Sequence, residues 1–174
     1  NRKIYTKEMN KEKYTILCPQ MAPIHFELFE TAVRASGYNL ELLRDFSQNT
    51  VDTGLKYVNN DACYPSILTT GQFIEALQSG KYDVNRTAII MSQTGGGCRA
   101  TNYIAFIRKA LKDAGFGMVP VISFNIVGMD KMPGFKITPK LIERLAKSVI
   151  YGDLLQKLST KNRAYEINKG DTQK

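Results

Sequence analysis

Residues 87–103 read TAIIMSQTGGGCRATNY: an apolar run, then three glycines and a cysteine, then the opening of a helical pattern. Five apolar or β-branched residues closed by Ser92 (87–92, TAIIMS) and bounded by turn formers predict a buried strand. Glycine costs conformational entropy, so three in succession are expected where the backbone turns sharply or approaches another group closely. Residues 101–114 (TNYIAFIRKALKDA) then place apolar side chains at helical spacing, with Gly115 as the cap. Strand, glycine turn and amphipathic helix in this order form the front half of a βαβ unit.

The same alternation extends outward. Residues 14–17 (YTIL) predict a strand closing at Cys18-Pro19, residues 24–36 (IHFELFETAVRAS) a helix ending at Gly37, and residues 38–43 (YNLELL) a second strand. Strands joined through a helix run parallel. After a polar connection, Pro65 suits the first turn of a helix that continues to Gln78 and stops at Ser79-Gly80. Residues 118–124 (MVPVISF) predict another strand, which Pro120 assigns to a sheet edge or a strand end. A basic helix from Thr138-Pro139 to about Leu158 follows, with an interruption expected near Gly152. The series predicts an α/β fold, a three-layer α/β/α domain with a mainly parallel sheet. Residues 1–13 are expected to be a polar leader, 14–130 the α/β domain carrying the cysteines, and 131–174 a basic helical segment packing on it.

The chain has 174 residues, 43% hydrophobic and 23% charged, which suits one globular domain and excludes disordered and collagen-like classes. No apolar run approaches the roughly 20 residues that span a bilayer, and no signal peptide is visible, so no membrane is expected and a cytoplasmic location is. The start at Asn1 and the polar, charged ends read as a segment cut from a longer polypeptide. Of the net charge of +8, residues 131–174 carry ten Lys/Arg against four Asp/Glu, or +6, leaving +2 elsewhere. With no nucleic-acid-binding motif present, that excess reads as solvated helix surface, and no nucleic acid is expected as a partner.

Three cysteines occur, at positions 18, 63 and 98. Cys18 closes the first strand, Cys63 precedes the second helix, and Cys98 lies between the buried strand and the third helix, so element order sends all three to the carboxyl edge of one sheet. That edge is where α/β sheets bind ligands and where helix N-termini present free N–H groups. An odd count in a cytoplasmic-looking chain argues against a disulfide framework. Structural zinc draws four Cys/His ligands at short spacing, which spacings of 45 and 35 residues and a single histidine do not supply. Two readings stay open. Three thiolates suit an iron–sulfur cluster with one open position, helped by helix N-termini and glycine amides; three buried free thiols would equally follow from cysteine's usual burial.

The segments VNNDACYPS, TTGQFIEALQSGKYD, MSQTGGGCRATNY and VPVISFN, in this order, resemble the cysteine-bearing part of large bacterial proteins related to the 2-hydroxyacyl-CoA dehydratase and benzoyl-CoA reductase system. Members of this group are known as CoA-substrate-specific enzyme activases or 2-hydroxyglutaryl-CoA dehydratase activators. The similarity runs over residues 14–165. It implies a 4Fe-4S cluster held by Cys18, Cys63 and Cys98, with Gly95, Gly96, Gly97 and Arg99 around it. The partners it implies are other domains of the same long polypeptide, including an ATPase activator domain that supplies low-potential electrons, and an acyl-CoA. The activator's own phosphate-gripping motifs are absent from this chain, and dehydratase subunits are about twice its length. An isolated redox module is therefore expected rather than a complete enzyme.

Two rival chemistries use the same residues. Residues 95–99 could cradle a phosphate such as those of CoA, with Arg99 pairing its oxygens, although they match neither GxxxxGK[ST] nor GxGxxG. A thiol nucleophile would need a base, and the single histidine, His25, lies seven residues beyond Cys18. Asn60, Asp61, Gln93, Thr94, Asn102 and Tyr103 are candidates to surround the site, and Tyr64 and Phe106 are expected in the core.

Overall fold

The computed structural model describes residues 3–59, 61–93, 102–125, 132–168 and 170–173. Among them, four strands, β1 (Thr15–Pro19), β2 (Leu40–Leu43), β3 (Thr87–Ser92) and β4 (Val121–Phe124), form one sheet in the order β2-β1-β3-β4. All three pairings are parallel, with Leu17 opposite both Glu41 and Ile89, and Ile89 opposite Val121. The α/β class therefore holds, and the parallel sheet is consistent with a three-layer α/β/α domain.

The chain divides into two compact units. The first comprises Asn1–Gln20 and Tyr38–Lys136, and contains the whole sheet. β3 is its centre, buried from Thr87 to Met91 as its apolar run requires. β4 begins directly after Pro120 and forms the sheet edge, as proline's missing N–H demands. On one face, Leu17, Ile89, Met91 and Val121 pack with Phe73 and Leu77 of α4 (Tyr64–Gln78) and with Tyr103, Ile104, Ile107 and Leu111 of α5 (Tyr103–Asp113). Both helices stop where expected: Gly80 and Gly115 take φ of +73° and +87°, a left-handed conformation that residues with a Cβ adopt only under strain.

Three features depart from the expectation. The connection after β2 is a helix, α3 (Gln48–Tyr57), whose Ser47 cap bonds Thr50 reciprocally. Its start is further tied to α4, because Asn49 Nδ2 donates to Glu75 Oε1 at 2.9 Å and the Thr50 hydroxyl donates to Glu75 Oε2. The expected leader contains a short helix, α1 (Lys7–Lys11), and Tyr5 before it is 1% exposed, its ring edge-on to Tyr14. Tyr64, expected in the core, is 58% exposed, because the first residue of α4 points off the helix's packed side.

The second unit, Met21–Gly37 and Ile137–Lys174, is built on α2 (Pro23–Arg34) and α6 (Pro139–Arg163). Proline at the start of each costs no hydrogen bond, since the first N–H groups of a helix have no partner inside it. Arg144 Nη1 donates to Ala35 O and Ser36 Oγ, both at 2.8 Å, satisfying the carboxyl end of α2, and the buried Ser148 hydroxyl donates to Arg144 O at 2.9 Å and Leu28 O at 3.3 Å. α6 runs uninterrupted through Gly152. The reason for that glycine is space, because a Cβ there would collide with the His25 ring.

Candidate metal centre

The strand order sets the place. β1 pairs onward with β2 on one side and β3 with β4 on the other, so the strand order reverses between these two neighbours. In parallel sheets the crevice at such a reversal is the preferred ligand site. Cys18 stands at the carboxyl end of β1, in register with Leu42. Cys63 is the N-cap of α4, a helix that returns the chain to β3 and therefore begins at the carboxyl edge. Gly95, Gly96, Gly97, Cys98 and Arg99, which join β3 to α5, lie outside the described residues, as do Asn60 and Thr94.

Cys63 is the better defined thiol. It is half-buried against the α4–α5 face of the core, and its Sγ lies 2.7 Å from the Tyr103 hydroxyl. Tyr103 opens α5, so this contact pins the start of one helix to the start of another, on either side of residues 94–101 in the chain. No side-chain hydrogen bond caps α4.

Cys18 reaches the edge from the other face. Leu17 points into the α4–α5 core, and successive strand residues point to opposite faces, so Cys18 shares its face with Ile16. Its Sγ is 3.7 Å from the Pro19 carbonyl. Neither Cys18 nor Cys63 forms a disulfide. Among the described residues no three His, Cys, Asp or Glu side chains cluster to hold a metal ion, and Cys98 is not one of those residues. The two described thiols fit an iron–sulfur group in chemistry, being half-buried, unbridged and at one sheet edge; a group held by both has to lie at the edge itself.

The surroundings are polar and ordered. Gln93, directly after β3, accepts a 2.6 Å hydrogen bond from the Ser123 hydroxyl, which accepts one of 2.9 Å from Asn125 Nδ2. Buried oxygens without a hydrogen-bond partner among the described residues include Gln20 Oε1, two residues past Cys18, and Ser66 Oγ and Thr70 Oγ1 in the first half of α4. A shallow cleft at the carboxyl end of α3 is lined by Lys56, Asn59 and Lys109. Asp61 and Asn102 are exposed, and Phe106 packs partly buried against the core. His25 has a different partner from the one a nucleophile would need: its Nε2 meets Asp153 Oδ1 at 3.0 Å. Sequence reasoning did not single out Ser123 or Asn125; their position just past the apolar run 119–122 was the available signal.

The chain matches no family model, no curated protein and no solved structure. No helix among the described residues is long and apolar enough to cross a membrane.

Proposed function

We propose that this chain is an iron–sulfur-cluster-binding redox module, related to the 2-hydroxyacyl-CoA dehydratase system and working in the cytoplasm, with Cys18, Cys63 and Cys98 as ligands of an open-position 4Fe-4S cluster. One observation carries the reading: Cys18 stands at the end of β1 and Cys63 begins α4, both on the carboxyl side of the sheet where the strand order reverses between β1 and β3, and Cys63 Sγ lies 2.7 Å from a hydroxyl. The resemblance of the Cys63 and Cys98 segments supports it independently. When bound, the cluster would supply one-electron chemistry at low potential. The protein's share is binding. The glycines at 95–97 would permit close backbone approach, and the apolar cluster of Ile89, Met91, Phe73 and Tyr103 packs against Cys63. The electron source in this reading is an ATPase activator domain of the same polypeptide, and an acyl-CoA is the downstream ligand.

The test is iron and acid-labile sulfide content, with EPR after dithionite reduction, following anaerobic reconstitution of wild type and of Cys18→Ser, Cys63→Ser and Cys98→Ser. About four irons per chain is the content of a 4Fe-4S cluster; that value in wild type, with the signal lost in each variant, is the expected result. Trace iron in wild type refutes the cluster. The second reading is then a phosphate-bearing ligand such as CoA, for which Lys56 and Lys109 on the cleft at the end of α3 supply positive charge, and a rise in melting temperature with CoA tests it.

A further inference from the structure

We infer that Tyr103 is a positioning residue for the redox centre, whose hydroxyl donates a hydrogen bond to the Cys63 sulfur and raises the reduction potential of a cluster bound there; this rests on the cluster reading above. The phenol is 8% exposed, its ring held in the core with Ile104, Ile107, Leu111 and Phe73, and its oxygen lies 2.7 Å from Cys63 Sγ. The contact as it stands leaves the donor open, because either a thiol or a phenol can donate. Ligation removes the ambiguity: a sulfur bonded to iron carries no proton, so the tyrosine is the donor. A hydrogen bond to an ionised acceptor is roughly twice as strong as a neutral one. Reduction adds negative charge to the cluster and its sulfurs, so this bond strengthens on reduction and favours the reduced state. The ring is fixed by packing rather than by the sulfur, which makes the donor preorganised and its removal conservative in shape.

The experiment compares reconstituted wild type with Tyr103→Phe by redox titration followed by EPR. Equal iron content, with a potential lower in the variant by about 59 mV, a tenfold change in the reduced-to-oxidised ratio for one electron, is the expected result. Equal potentials in two loaded proteins overturn the inference and leave the cluster reading standing, whereas absence of iron in wild type overturns both. A folded variant that loads no iron overturns it as well, since Tyr103 would then build the site rather than tune it. Should the variant fail to fold, wild type alone decides: exchange into D2O must shift an Fe–S(Cys) stretching frequency, and an unshifted spectrum refutes an exchangeable donor at the sulfur.

Discussion

Replacing Gly71 by alanine tests the packing that sets Cys63 in place. α3 and α4 cross backbone to backbone: a Cβ at Gly71 would collide with the Thr50 carbonyl and come within 3.0 Å of the Gly54 nitrogen, and one at Gly54 would collide with the Ile67 carbonyl. Alanine gains about 0.5–1 kcal/mol over glycine inside a helix. Overpacking costs about 1–3 kcal/mol, and here the obstruction is backbone, which yields only if the helices part. The net expectation is a loss of about 1–2 kcal/mol, or a melting temperature lower by roughly 2–8 °C for a chain of this size. Gly117→Ala is the control, because the nearest atom to its Cβ is Lys112 Cα at 3.6 Å, an ordinary contact. Urea titrations should show a lower midpoint with unchanged slope for Gly71→Ala and a midpoint within error of wild type, or above it, for the control. If the two variants behave alike, the close approach of α3 and α4 is refuted, and with it the account of how the N-cap of α4 is positioned.

Three further outcomes follow from particular contacts. Burial raises the pKa of Glu75, but hydrogen bonds from Asn49, Thr50 and Ser47 outweigh it and hold the carboxyl below its ordinary value near 4.5. A depressed carboxylate stabilises fully above its unfolded pKa and loses that contribution as pH falls through the folded one. Urea midpoints of wild type should therefore drop on acidification below about pH 4.5, and Glu75→Gln should flatten that slope. Gly152→Ala drives a methyl into the His25 ring, and a thermal melt should record a loss of about 1–3 kcal/mol; Asp153→Asn breaks only a pair whose acid is 73% exposed and should cost less than about 1 kcal/mol. Ile89→Ala empties a fully buried position in the central strand, with an expected loss of about 2–5 kcal/mol by denaturant titration.

How much of this was legible in the sequence depended on where the stabilising contacts lie. β1, β3 and the glycine stops announce themselves through local burial pattern and backbone preference, which neighbours in sequence largely decide. α3 did not, because its residues QNTVDTGLKY include threonines, a central glycine and few apolar positions. What makes it a helix is remote: Glu75 on α4 holds Asn49 and Thr50, and the glycines admit close packing. Tyr5 was hidden the same way, an isolated aromatic among charges whose burial follows from contacts such as the Gly134 N–H bond to its carbonyl at 3.1 Å. At the candidate site, element order was enough to send the cysteines to one edge. The face of Cys18 needed more, since period-two alternation assigns it only once α4 and α5 are known to cover the Leu17 side.

The length of the β3–α5 connection bears on what the edge is for. Connections of this kind in α/β units need about 2–6 residues, and the chain leaves β1 for α2 in three, 20–22. Between Ser92 and Tyr103 it uses ten, 93–102, and three of them are glycines. Each glycine makes ordering the segment more costly, and a bare turn needs no such sequence. Tyr103 and Cys63 fix the far end of the connection through the 2.7 Å contact, and the Gln93–Ser123–Asn125 hydrogen bonds fix its near end. In the proposed reading, a long, glycine-rich connection that carries Cys98 between two anchored ends would gain its advantage when a ligand binds that its backbone can approach. On that proposed reading the thiols would set the chemical class of the ligand, and the glycines would let it come close.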